Sequence, residues 1–308
     1  MNTRKKNISL NILLSLVVLT IALTVSSCRS VNQATPADRA AALRGIFGTY
    51  DNEPRKADRH VDTDRLVAEI VKVKAQTYNF LIHHTSNDWD DLKIFLPAAR
   101  KQNIKVWVTL VPPSEPPASQ PFGLDFQRWG VELAKLSLLE TNLVAWSIDD
   151  FSYDAKVFTK EYIVKMVGDS RAINPRLAFV PCLYYGQMQK AGLVEKYRPV
   201  VDGILFPYRH EMIKANLSDW DTLEKEIRFF KTTFGSSVPV IVDVYATKHS
   251  RLNDSTPEYV RQVMMISRKS ADGVLIFCHQ YEDKNPEKYH VIKKLFDQWS
   301  VQSDARKH

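Results

Sequence analysis

Two adjacent carboxylates, Asp149 and Asp150, close an apolar run that begins Leu143-Val144-Ala145-Trp146-Ser147-Ile148. Side chains alternate along a strand, so Ala145, Ser147 and Asp149 share one face and Trp146 and Ile148 the other. Asp150 can share the pocket of Asp149 only if the strand stops between them and the chain turns. The polar Ser152-Tyr153-Asp154 that follows permits such a turn. Two carboxylates held that close repel, which raises the pKa of one and keeps it protonated near neutral pH. A protonated acid beside a charged partner equips a site for general acid–base catalysis. The competing expectation is a helix-capping or loop-ordering aspartate pair. A third carboxylate, Asp243, sits in Val240-Ile241-Val242-Asp243-Val244-Tyr245 and by alternation faces the same way as Ile241. Asp150 as acid with Asp243 as nucleophile is therefore a second arrangement for cleaving a glycosidic bond.

The ends of the other apolar runs carry tyrosines, histidines and a glutamate. Tyr50, His83, Tyr153, Tyr184, Tyr208, Glu211, Tyr245 and His279 are expected to bind substrate. Flat rings with hydroxyls, and carboxylates that accept from two hydroxyls at once, match the surface of a sugar. The expected partner is thus an oligo- or polysaccharide. Histidines are present, but without CxxC, HExxH or another ligand spacing, so no metal is expected. No cofactor is expected either. The first strand is followed by Gly48-Thr49-Tyr50-Asp51-Asn52-Glu53-Pro54-Arg55, which is not a glycine-rich phosphate loop.

The elements that must position these residues recur eight times as a β-rich run, a polar loop and an amphipathic helix. Strands are expected at 45–50, 78–83, 104–111, 143–149, 177–183, 203–206, 239–244 and 273–278. The following helices are expected at 62–75, 88–102, 126–139, 159–173, 187–197, 219–230, 257–269 and 288–301. The strands are near-continuous Val/Ile/Leu/Phe runs, as in parallel strands covered on both faces. Ser255/Thr256-Pro257-Glu258 marks a helix start, with an N-cap before a first-turn proline. Eight such units predict an α/β fold, a single-domain (β/α)8 TIM barrel over 43–302, whose chemistry belongs at the C-terminal ends of the strands.

The chain's two ends differ from this body. Arg4, Lys5 and Lys6 precede an apolar run from Ile12 to Val25, too short for a comfortable bilayer crossing but right for a signal peptide. Val25-Ser26-Ser27-Cys28 resembles the bacterial lipobox, which implies removal of residues 1–27 and lipidation of Cys28. The expected location is then the bacterial cell envelope, held to the membrane through the lipid alone. Residues 28–42 are small and polar and predict a linker; 303–308 predict a polar tail. The formal charge is +7, and without Arg4, Lys5 and Lys6 it is +4. That mild, scattered excess lacks the basic–aromatic interleaving of a nucleic-acid groove, so nucleic acid is not expected as a partner. Cys182 and Cys278 fall on distant segments and require no disulfide.

The strand-four motif, apolar residues followed by Asp149-Asp150 and the large apolar Phe151, resembles the barrel glycosidases of the O-GlcNAcase and hyaluronidase type. The resemblance covers about nine residues and, more loosely, the barrel plan. It implies substrate-assisted retention on an N-acetylhexosaminide. Asp149 would orient and polarise the 2-acetamido group; Asp150 would act as general acid and then base. The expectation is a lipid-anchored glycoside hydrolase. Its rival is a carbohydrate-binding lipoprotein that keeps the aromatic rim without turnover.

Overall fold

The structure of the chain, a computed structural model, describes residues 34–305. The signal segment and Cys28 lie outside them. Eight strands form one parallel sheet: β1 (Phe47–Tyr50), β2 (Thr77–Ile82), β3 (Lys105–Leu110), β4 (Leu143–Ile148), β5 (Ala178–Phe179), β6 (Ile204–Pro207), β7 (Val240–Tyr245) and, after a short hairpin of β8 (Lys248–His249) and β9 (Asn253–Asp254), β10 (Gly273–Phe277). Their spatial order is β5-β4-β3-β2-β1-β10-β7-β6. The two outer strands meet through a parallel bridge between Cys182 and Leu205. Leu183 N–H donates to Leu205 O at 2.9 Å and Asp202 N–H to Phe179 O at 2.9 Å, which closes the (β/α)8 barrel. β5 is only two residues long, and Pro181, lacking an N–H, cannot extend its ladder.

Helices α1 (Pro36–Leu43), α2 (Thr63–Lys72), α3 (Asp88–Lys101), α4 (Phe126–Leu139), α5 (Lys160–Ile173), α6 (Tyr185–Met188), α7 (Leu193–Tyr197), α8 (Leu223–Phe234), α9 (Pro257–Ser270) and α10 (Pro286–Ala305) complete the chain. None of the described helices is long and apolar enough to cross a membrane. Several begin where the sequence puts a capping oxygen. The Thr256 side chain accepts the N–H of Tyr259 with Pro257 at the first turn, and the Thr159 side chain accepts that of Tyr162. Such a cap is worth about 1 kcal/mol.

The strands divide the apolar residues into two cores. Phe80, Trp146, Ile148, Phe206 and Val242 face the helices with Phe95, Trp129 and Phe230. Tyr50, Trp107, Ala145, Ala178, Val180, Leu205, Ile241 and Leu275 fill the barrel, with Leu43 and Ile46 at its base. The alternation expected in β4 is observed, with Ala145 inside and Trp146 outside. Trp107 is fully buried, and replacing it with alanine should cost about 3–5 kcal/mol. Gly48 permits the closest strand approach: a Cβ there would lie 1.9 Å from Thr77 O.

Four expectations are corrected. Of the linker expected at 28–42, the described part from Pro36 onward is helical, within Pro36–Leu43. Arg39, buried in that helix, donates through Nε to Asp202 at 2.6 Å and through Nη1 to Pro175 O at 2.8 Å. The helix expected at 187–197 is two short ones, with Gly192 in a left-handed conformation (φ 81°) between them. The helix expected at 219–230 is shifted to Leu223–Phe234, and Gly235 ends it. The last helix runs to Ala305, three residues into the expected tail.

Candidate active site

Ile148 ends β4, and Asp149 N–H still donates to Leu110 O at 2.9 Å, so Asp149 keeps strand alignment. The chain then turns. Asp150 adopts a left-handed backbone (φ 43°), which aspartate tolerates better than most residues. Its N–H donates back to Asp149 Oδ1 at 2.9 Å. The turn thereby brings both carboxylates to the C-terminal mouth of the barrel, both half-buried.

Residues from five further loops or strand ends converge on the pair. Cys182, after β5, places its Sγ within 4.8 Å of a carboxylate oxygen of each aspartate. The Tyr184 hydroxyl and the Glu115 carboxyl lie beside Asp150. The Tyr184 hydroxyl lies 3.5 Å from that of Tyr245, at the end of β7. The Arg209 guanidinium lies over the Tyr184 ring, 4.1 Å from its centroid, and donates to the Tyr153 hydroxyl at 2.9 Å. Glu211 fixes that arginine by a hydrogen-bonded ion pair and accepts Gly186 N–H at 2.6 Å through its other oxygen. Below them, Tyr50 donates to Asp243 Oδ2 at 2.8 Å, while Asp243 Oδ1 is buried without a hydrogen-bond partner.

The electrostatics follow from this crowding. Burial, then the charges of Asp150 and Glu115, push the Asp149 carboxyl up to about 7. Burial also raises Asp150, opposed by the Tyr184 hydroxyl and the Arg209 charge. Asp243 is driven well above the carboxylate range by burial and by Asp149, against the pull of the Tyr50 hydrogen bond. The Cys182 thiol, raised by burial and by the three aspartates, stays protonated and is a poor metal ligand in that form. The site therefore holds exchangeable protons near neutrality on carboxyl groups that face one another, the requirement for proton transfer to a leaving group.

The structure gathers Asp149, Asp150, Asp243, Tyr50, Tyr153, Tyr184 and Tyr245 into this one site, with Glu211 as the support of Arg209. Three expected substrate contacts lie elsewhere. Tyr208 faces the helix layer, fully buried, its hydroxyl bonded to Asp219 O at 3.2 Å and Thr222 Oγ1 at 3.1 Å. It shares strand parity with Phe206, which faces the helices. His83 stacks on His84, ring centroids 5.3 Å apart, beside a cavity of about 310 Å³ lined also by Arg59, Asn87 and Gln120. His279 is buried, with Nδ1 2.9 Å from Thr49 Oγ1, and burial pushes its pKa down to about 4. It borders a second cavity, about 600 Å³, lined by Asn52, Arg55, Arg65 and Tyr281 among others but by none of the three aspartates. That cavity is larger, yet the converging carboxyl groups lie outside it.

Sequence reasoning missed Glu115, Arg209 and Cys182 as members of the site. Glu115 lies in the proline-rich 112–117 loop, where no periodicity assigns a direction. Arg209 directly follows Tyr208 and, by parity, faces the other way, which is the signal that could have found it. Two groups of described residues have metal-ligand spacing, Asp149–Asp150–Cys182 and Asp51–Glu53–His84.

No family model matches the chain, and no curated protein matches it in sequence. Solved structures match in fold. The GH2 β-galacturonidase from Eisenbergiella tayi, bound to galacturonate, superposes with a TM-score of 0.52 at 12% identity over 83% of this chain and 51% of that one. A Bacteroides uniformis β-glucuronidase 2, covalently bound to cyclophellitol-6-carboxylate aziridine, gives 0.52 at 11% over 76% and 30%. QR15, an aldolase, gives 0.50 at 12% over 84% and 97%. The fold is a (β/α)8 barrel. The chain spans about half or less of the length of those two glycosidases, and the aldolase shows that barrel likeness alone does not choose a reaction.

Proposed function

We propose that the protein is a glycoside hydrolase in which Asp149 and Asp150 share the acid–base work. The observation that carries this reading is the adjacent pair at the barrel mouth, turned together by the left-handed Asp150 and holding a proton near neutral pH. The glycosidases among the structural neighbours support the reaction class. Asp150, beside Tyr184 and the Arg209 charge, passes the proton that the pair shares to the leaving oxygen and takes one back from water, while Asp149 is left ionised. Asp149, set against Cys182 and Asp243, orients and polarises a 2-acetamido group. Tyr184 and Tyr245 offer hydroxyls to the same sugar. Asp243 as nucleophile is disfavoured, because a nucleophilic carboxylate must be ionised and this one is buried under Tyr50 and driven toward its neutral form. It acts instead as a support beneath Asp149. The basic–apolar–Cys28 segment favours a lipid-anchored enzyme facing an envelope-accessible glycan.

The test is hydrolysis of a panel of aryl glycosides and glycans by the wild type, Asp149→Asn and Asp150→Asn. Cleavage of an N-acetylhexosaminide that both variants lose supports the pair mechanism. Binding of a glycan with no cleavage by the wild type replaces the enzyme with a carbohydrate-binding lipoprotein. Cleavage that survives both substitutions removes the pair from the mechanism.

A further inference from the structure

Across the mouth from that pair, Asp51 and Glu53 follow β1 and His84 follows β2. One ligand atom from each lies within 4.8 Å of the other two. His84 Nε2 is 3.1 Å from Asp51 Oδ1 and 3.4 Å from Glu53 Oε2. Metal–nitrogen and metal–oxygen bonds of about 2.0–2.2 Å in a tetrahedral site put neighbouring ligand atoms about 3.3–3.5 Å apart. Both spacings are close to that edge length.

The second observation is Glu53 itself. It is 7% exposed, and its Oε1 accepts Leu81 N–H at 3.4 Å. Its Oε2 is buried, has no hydrogen-bond partner, and faces His84. Arg55 Nη2 lies 3.7 Å from Oε2, beyond hydrogen-bond reach and itself without a hydrogen-bond partner, while Nη1 donates to Asp88 Oδ1 at 2.7 Å. Outer contacts orient the ligands as they do around bound metals. Cys278 Sγ donates to Asp51 Oδ2 at 3.3 Å, and Asn52 N–H donates to Asp51 Oδ1 at 2.8 Å. Each carboxylate is thus gripped by the protein and presents an oxygen to the same point.

We propose that Asp51, Glu53 and His84 form a binding site for one divalent transition-metal ion, of the zinc or manganese class. One imidazole and two carboxylates suit such ions better than calcium, which takes six or more oxygens. The ion takes the place of the proton that His84 Nε2 otherwise holds between the carboxylates, and that proton leaves to solvent. Three protein ligands leave a coordination position for water or a ligand oxygen. Glu53 borders the cavity of about 600 Å³ and His84 the one of about 310 Å³, so the ion would sit between them. The site stands apart from the Asp149–Asp150 pair and does not depend on what that pair does.

Titration of the chelator-treated full chain with Zn²⁺ and Mn²⁺ by calorimetry tests the site, with Co²⁺ absorption reporting geometry. One equivalent should bind, and His84→Asn, at a partly exposed position, should weaken binding by at least tenfold while the thermal transition remains cooperative. Glu53→Gln should do the same. Asp150→Asn should leave binding intact. Absence of stoichiometric binding to the wild type overturns the proposal. So does binding that survives His84→Asn and Glu53→Gln together, or that disappears in Asp150→Asn, which would move the ion to the Asp149–Asp150–Cys182 group.

Discussion

The mouth of the barrel carries two groups of acids that differ in their company. After β3 and β4 and within β7, Glu115, Asp149, Asp150 and Asp243 crowd together, and Arg209 is a cation that reaches Asp150. Protons are retained there. At the ends of β1 and β2, burial raises Asp51 too, but the His84 hydrogen bond and the Asn52 N–H overcome it and hold the carboxyl below its usual range. Glu53, more deeply buried, is still raised against the opposing charge of His84. Residue type alone therefore does not decide which aspartate is an acid and which an ion; the neighbouring charge does.

The largest expected effect is on rate. Asp150→Asn should lower kcat by about 10²–10⁴-fold, the usual worth of a positioned acid, while Asp51→Asn should leave it within about tenfold, as judged on the substrate identified by the glycoside panel. Equal losses would erase the distinction between the groups. Stability should separate them in opposite directions. Asp149 prefers its neutral form in the folded state, so folding becomes costlier as pH rises from 3.8 toward about 7. At about 1.4 kcal/mol per pH unit the cost is on the order of 4 kcal/mol. Asp149→Asn should then raise Tm at pH 8 by about 5 °C or more and change it little at pH 4. Asp51 is the reverse case: its ionised form is favoured by folding, so its contribution is present above the unfolded pKa and is lost as pH falls through the folded one. Asp51→Asn should cost about 1–2 kcal/mol at pH 7 and less in acid. Melting curves at several pH values read both, and shifts of the same sign would contradict the comparison. A smaller effect comes from Glu115, whose charge helps raise Asp149. Glu115→Gln should lower the pH at which Asp149 titrates, read by carboxyl NMR; an upward move would reverse the assigned interaction. The smallest is Tyr208→Phe, which should leave kcat/KM within about twofold and cost about 1 kcal/mol of stability through the lost Thr222 contact.

The barrel was legible because each strand is apolar on both faces and each helix amphipathic, a pattern that local pairing and burial both enforce. Phe126–Leu139 lies where its periodicity put it, and Asp149 faces inward because Ala145 and Ser147 do. Loops obey no such period. Glu115 reaches Asp150 through tertiary packing of a proline-rich segment, and no spacing in 112–117 announces it. Tyr208 was misplaced because its residue type outweighed its parity with Phe206. Helix α1 was missed because Pro36–Leu43 is short and rich in alanine, without large apolar residues to mark a buried face before Leu43, and its anchor, Asp202, is 163 residues from Arg39.

That helix closes one end of the barrel. Leu43 plugs the base, where its Cδ1 lies close to Gly203 at the start of β6, and Lys105 at the start of β3 donates to Ala42 O at 3.0 Å. The chain thus arrives at the floor, opposite the rim that bears the aspartates. Without that helix, Gly203 and the side chains at the barrel's N-terminal end would meet water, so Leu43 works as a stopper for the interior rather than as part of its wall.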